Sequence, residues 1–81
     1  MAKKIIVLIV MLMLVGCGGK SKEELFAQGT AELGNGNPNG AMVFFKKALE
    51  IDQNFADARE KLAVAYIDAG RFENAERELK K

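Results

Sequence analysis

The chain has 81 residues, with twelve basic and eleven acidic side chains, no histidine and a single cysteine. A net charge of +1 without a clustered basic face gives nothing to gather nucleic-acid phosphates, and one thiol cannot form a disulfide within the chain. Without histidine or a strand-linked Gly-rich phosphate loop, the ordinary nucleophile and general-base constellations are missing, so no enzyme is expected.

The first predicted element is an N-terminal signal helix. Lys3 and Lys4 precede an unbroken apolar run of 11 residues, Ile5 to Val15. A membrane-crossing helix needs ~20 residues, so the run reads as an export signal rather than a permanent span. It ends in Leu14-Val15-Gly16-Cys17, with a small residue before the cysteine. These four residues resemble the bacterial lipobox. The resemblance implies that the Cys17 sulfur takes a diacylglyceryl group through a thioether and that signal peptidase II cuts between Gly16 and Cys17; in such lipoproteins the new amine is often N-acylated as well. Residues 1–16 would then be the signal peptide, and residues 17–21 the lipidated cysteine and a Gly-rich tether. Each buried acyl methylene adds ~0.8 kcal/mol, so two or three chains anchor stably where one holds marginally. The sulfur is consumed as an anchor, and no other cofactor or metal is expected. The residue after the cysteine, Gly18, is not the aspartate that commonly retains such lipoproteins in the inner membrane. The expected place is therefore the bacterial cell envelope, lipid-anchored, with the outer membrane favoured in a cell that has one.

From Lys22 onward the pattern is helical. Leu25, Gln28, Gly29 and Leu33 fall at helical spacing, and Ser21 with Glu24 has the form of a capping box, which predicts a helix over 21–33. The stretch Gly34-Asn35-Gly36-Asn37 stops it. This loop has some calcium-loop character but lacks the carboxylates and terminal Glu of such a site, and it reads as a helix-connecting turn. Pro38 suits the first turn of a second helix over 38–51, with Ala41, Phe44, Phe45, Ala48, Leu49 and Ile51 on its apolar side. Asn54 is positioned to cap a third helix carrying Phe55, Ala58, Leu62, Ala65, Tyr66 and Ala69, which Gly70 ends. A fourth runs from Arg71 or Phe72 through Lys80 with Phe72, Ala75 and Leu79 as its stripe. The aromatics Phe44, Phe45, Phe55 and Phe72 read as core. No run alternates with period two, so no strand is expected.

A shift of 34 residues superposes Ala31 on Ala65, Gly36 on Gly70, Ala41 on Ala75, Lys46 on Lys80 and Lys47 on Lys81. That is the helix-turn-helix period of the tetratricopeptide repeat (TPR). Gly29, Ala41, Phe45 and Ala48, and then Leu62, Ala63, Tyr66, Gly70, Ala75 and Leu79, resemble its small and aromatic positions, and Ala48-Leu49-Glu50-Ile51-Asp52 resembles its usual end to a helix pair. Glu32, Gln53 and Arg59 depart from it, standing where tyrosine, proline and a large apolar residue are usual. The fold implied is all-α: two antiparallel helix hairpins of a TPR-type α-solenoid after the signal helix, with 22–55 as the first unit and 56–81 as a second, incomplete one.

The TPR resemblance also implies a partner-binding groove lined by Glu23, Phe26, Thr30 and Leu33, followed by Asp57, Glu60, Val64, Ile67 and Asp68. A protein or peptide ligand is expected there. The mixture is acidic and apolar, and it lacks the Lys and Asn set that clamps a terminal carboxylate. With no polar cap after the second unit, the face near Phe72 and Leu79 should be exposed in a monomer, which offers a surface for self-association. The expected function is a membrane-anchored scaffold or adaptor. The segment Asn39 to Leu49 resembles TPR lipoproteins that accompany exosortase-type surface sorting and exopolysaccharide export, and more loosely those assisting pilus or outer-membrane protein assembly. A truncated fragment of a longer TPR lipoprotein, without independent function, is the alternative.

Overall fold

The computed structural model describes residues 19–81. The signal segment, Gly16 and Cys17 lie outside the described residues. Within them the chain forms four helices and no strand: α1 (Lys22–Gly34), α2 (Pro38–Ile51), α3 (Ala56–Asp68) and α4 (Phe72–Leu79). None of these is long and apolar enough to cross a membrane.

Local chemistry sets the helix ends. The Ser21 hydroxyl accepts the Glu24 backbone N–H at 3.1 Å, one half of a capping box, and Glu23 and Glu24 place negative charge at the positive end of the helix dipole. Ser21 therefore belongs to the helix start rather than to a free tether, and its neighbour Lys20 donates to the Gln28 side chain at 3.0 Å. At the other end Gly36 adopts φ of +78°, and the N–H groups of Gly36 and Asn37 donate to Leu33 and Glu32 carbonyls at 3.1 and 2.9 Å. This paired closure is the Schellman motif. It recurs one period later. Gly70 also has φ of +78°, with Gly70 and Arg71 N–H groups donating to Ile67 and Tyr66 carbonyls at 2.9 and 2.7 Å. The 34-residue repeat thus appears in backbone geometry as well as in side-chain type.

Asn37 fastens the first hairpin. Its side-chain oxygen accepts the Gly40 N–H at 3.1 Å, capping α2, while its amide nitrogen donates to the Glu32 carboxylate on α1 at 2.7 Å. Pro38 occupies the first turn, where its missing N–H is harmless.

Asn54 does not cap α3. The Asp52 carboxylate takes the Asn54 N–H at 3.0 Å, and Phe55 stands at the cap position without a side-chain bond. Phe55 accordingly precedes the helix instead of joining its stripe. The fourth helix ends at Leu79, and Lys80 is its C-cap.

Consecutive helices pack on one another, and α2 and α4 do not meet. One core cluster joins Ala41, Met42 and Phe45 of α2 with Leu62, Ala63, Ala65 and Tyr66 of α3 and Ala75 of α4. A second joins Leu25, Ala48 and Ala58, with Phe26 and Leu49 bordering both. Alanine at these crossings lets helix axes approach to ~8–10 Å. Phe45 is fully enclosed, whereas Phe44 and Phe55 are half-buried.

Ile51, expected on the apolar side of α2, is 57% exposed at its end. Phe72 is not the core aromatic expected: it is 66% exposed and Leu79 63%, in agreement with the exposed α4 face expected from the lack of a cap. Phe45, one period before Leu79, is covered by α3, but nothing among the described residues covers α4 in the same way.

Candidate functional site

The nine groove positions all fall on α1 and α3, and they divide into two kinds. Glu23, Thr30, Asp57, Glu60, Val64, Ile67 and Asp68 are exposed, while Phe26 and Leu33 are half-buried against the core. The Phe26 ring lies 5.8 Å from that of Phe45 and 5.3 Å from that of Phe55, in tilted contact with both. Much of Phe26 is therefore engaged in joining α1 to the next hairpin. The Thr30 hydroxyl donates to the Phe26 carbonyl of its own helix at 2.9 Å, so its donor is occupied.

What remains open to a ligand is an acidic and apolar strip. Val64 and Ile67 are 37% and 46% exposed. Among the described residues, the carboxylates of Glu23, Asp57, Glu60 and Asp68 are in no ion pair. These side chains are exposed along the faces of α1 and α3, which suits contact with an extended chain or a helix better than capture of a small molecule.

Elsewhere the charges are paired. The Lys22 ammonium meets the Asp52 carboxylate and lies 5.2 Å from the centre of the Phe55 ring, tying the start of α1 to the turn after α2. The hydrogen bond from Lys22, followed by that from the Asn54 N–H, holds the Asp52 carboxyl below its usual range. The bond to Asp52 raises the Lys22 ammonium above its own. Each stabilises the charged form of the other.

A second polar feature was not anticipated from the sequence. A cleft of about 450 Å³ opens between α2 and α4, with Lys46, Glu50, Arg59, Glu78 and Lys81 around it and Leu62 among its lining residues. Arg59 donates to the Gln53 carbonyl from its terminal nitrogen, while its Nε, buried and without a hydrogen bond, lies 3.8 Å from the Glu78 carboxylate. Glu78 also receives Lys81 Nζ at 3.1 Å. The signal in the sequence was Arg59 itself, standing where the repeat usually has an apolar residue: the departure from pattern marks a charged tie between α3 and α4. Among the described residues no three His, Cys, Asp or Glu side chains converge as metal ligands would.

Residues 32–81 match the family model described as tetratricopeptide repeat. No curated protein and no solved structure matches the chain. The matched span begins in the last turn of α1 and includes α2, α3 and α4. Repeats of this kind are non-catalytic modules that hold protein partners. Paired helices with glycine closures one 34-residue period apart, and a family match over more than half of the sequence, lead to one conclusion: this chain belongs to the tetratricopeptide repeat family.

Proposed function

We propose that the chain is a lipid-anchored interaction module of the bacterial cell envelope, whose α1 and α3 faces take a basic, partly apolar peptide or helix from a protein partner. The observation that carries the binding half is the strip of four unpaired carboxylates beside exposed Val64 and Ile67. Such a strip attracts a ligand carrying Lys or Arg through long-range charge, and the apolar pair supplies contact once the ligand docks. The anchor half rests on Leu14-Val15-Gly16-Cys17 following a basic start and an 11-residue apolar run. Lipid on Cys17 would fasten the repeat to a membrane through the short segment before Ser21. The likeness of Asn39 to Leu49 favours service in surface sorting or exopolysaccharide export over pilus or outer-membrane protein assembly.

Two measurements test the two halves separately. Intact mass of the protein from a membrane fraction should fit residues 17–81 plus acyl groups. An unlipidated full-length mass would end the anchor reading and leave the groove untouched. Fluorescence anisotropy with a labelled Lys/Leu amphipathic peptide should show binding that weakens with salt, and a Glu/Leu counterpart should not bind. Equal binding of the two peptides would end the groove reading.

A further inference from the structure

The two ends of this helix array differ chemically. At the α4 end, Phe72 and Leu79 are exposed at 66% and 63%. At the α1 end, Glu24, Gln28 and Glu32 occupy the positions one period before Ala58, Leu62 and Tyr66, the residues with which α3 enters the core. A second copy stacked head to tail would therefore bring Glu and Gln against the apolar α4 end, where α3 brings Ala, Leu and Tyr against α2. Burying two carboxylates and an amide there, with only single bonds from Asn37 to Glu32 and from Lys20 to Gln28 to satisfy them, opposes that arrangement. A self-complementary contact through α4 escapes it.

The sequence of α4 has the polarity such a contact requires. Phe72 and Leu79 are seven residues apart, two helical turns or ~10.5 Å, so an antiparallel two-fold places each against the other. Glu73 near the start of the helix and Lys80 at its C-cap fall on the same flank of that apolar pair, by helical periodicity. The two-fold brings Glu73 of one copy level with the second copy's Lys80, twice. Glu76 falls on the same flank beside the two-fold and approaches the second copy's Glu76; Lys80 donates to it at 2.8 Å and, with three donors, can hold Glu76 of its own chain and the second copy's Glu73 together, offsetting that approach. A parallel two-fold pairing sets these flanks on opposite sides of the seam and forms neither ion pair.

We propose that α4 pairs antiparallel with α4 of a second copy, with Phe72 against the second copy's Leu79 and Glu73 facing its Lys80. The proposal is independent of the groove and of the lipid anchor, since it uses neither face of α1 nor Cys17.

The test is sedimentation equilibrium of the 81-residue chain in density-matched detergent, comparing the wild type with Glu73→Lys, Lys80→Glu and their equimolar mixture. The wild type should dimerise reversibly. Each variant turns both symmetry-related pairs into like-charge contacts and should self-associate at least ~10-fold more weakly, whereas the mixture restores both pairs and should return to within ~3-fold of the wild type. Both substitutions are on the exposed surface, and far-ultraviolet circular dichroism should show unchanged helix content. A wild type that stays monomeric overturns the proposal. So does a variant that dimerises as well as the wild type, or a mixture that gains nothing over its components, which would assign the α4 face to a different protein's helix.

Discussion

Gly29 and Phe45 are in such close approach that a methyl group on Gly29 would lie 2.6 Å from the ring Cε1 of Phe45. Phe45 is fully buried and its ring is rigid, so it has little freedom to yield. The glycine is a condition of the α1–α2 packing rather than a convenience of the helix. Gly29→Ala should destabilise the fold by ~1–3 kcal/mol despite the better helix propensity of alanine, which favours the change by ~1 kcal/mol. Urea denaturation of the two proteins reads the difference, and a variant as stable as the wild type would show that the hairpin can open to admit the methyl group. Gly29→Ala with Phe45→Leu should recover part of the loss.

Asn37 makes two bonds with one side chain, and its roles can be separated. Asn37→Ala removes both the cap on Gly40 and the link to Glu32, and should cost ~1 kcal/mol or more. Asn37→Asp keeps an acceptor for Gly40 but sets a carboxylate beside Glu32, so its loss should grow at low ionic strength. If thermal melting ranked the two variants alike at every salt concentration, the bond to Glu32 would contribute nothing.

The Lys22–Asp52 pair predicts how stability responds to pH. Asp52 has its folded pKa lowered, so its contribution is present above the ordinary carboxylate value of ~3.9 and is lost as pH falls through the lower folded value. Lys22 has its folded pKa raised, so its contribution is present below ~10.4 and is lost as pH rises through the higher folded value. About a third of each side chain is exposed, at 33% and 31%, which makes the pair sensitive to salt. Urea midpoints of the wild type and Asp52→Asn should differ most at neutral pH and converge toward pH 2. A constant difference would mean that Asp52 acts only through its turn geometry.

Arg59 donates to the Gln53 carbonyl, and its Nε lies 3.8 Å from the Glu78 carboxylate but is buried without a hydrogen bond. Restoring an apolar residue with Arg59→Leu should change stability by less than ~1 kcal/mol, because loss of the ion pair is offset by relief of the unsatisfied nitrogen. Arg59→Ala should lose more, since it also removes the packing of the side-chain stem. A strongly destabilised Arg59→Leu would show that the charged tie holds α4 in place.

The helices were legible because their stops are local. Gly36 and Gly70 close α1 and α3 through backbone conformation that nearby residues cannot readily supply, and Pro38 marks the start of α2 to the residue. Asn54 was misread because it belongs to the turn before the helix: its backbone N–H donates to the Asp52 carboxylate, and that turn carries the chain one residue further before α3 begins. Phe72 was read in two ways, as a core aromatic and as part of an uncapped face, and its 66% exposure agrees with the second. Helical spacing shows which side of α4 is apolar, but not whether another element covers that side. The groove residues have the same limitation, since periodicity gave their helix face while the contacts of Phe26 with Phe45 and Phe55 depend on how two hairpins meet.

Each helix packs chiefly on the next one in the chain. Contacts between sequence neighbours require only short loops to close, and folding rate rises as contacts become more local. A chain of this design should therefore reach its fold within about microseconds to milliseconds, with each hairpin able to form as soon as its two helices are free. The first hairpin, α1 with α2, could then organise itself during synthesis, before α4 has emerged.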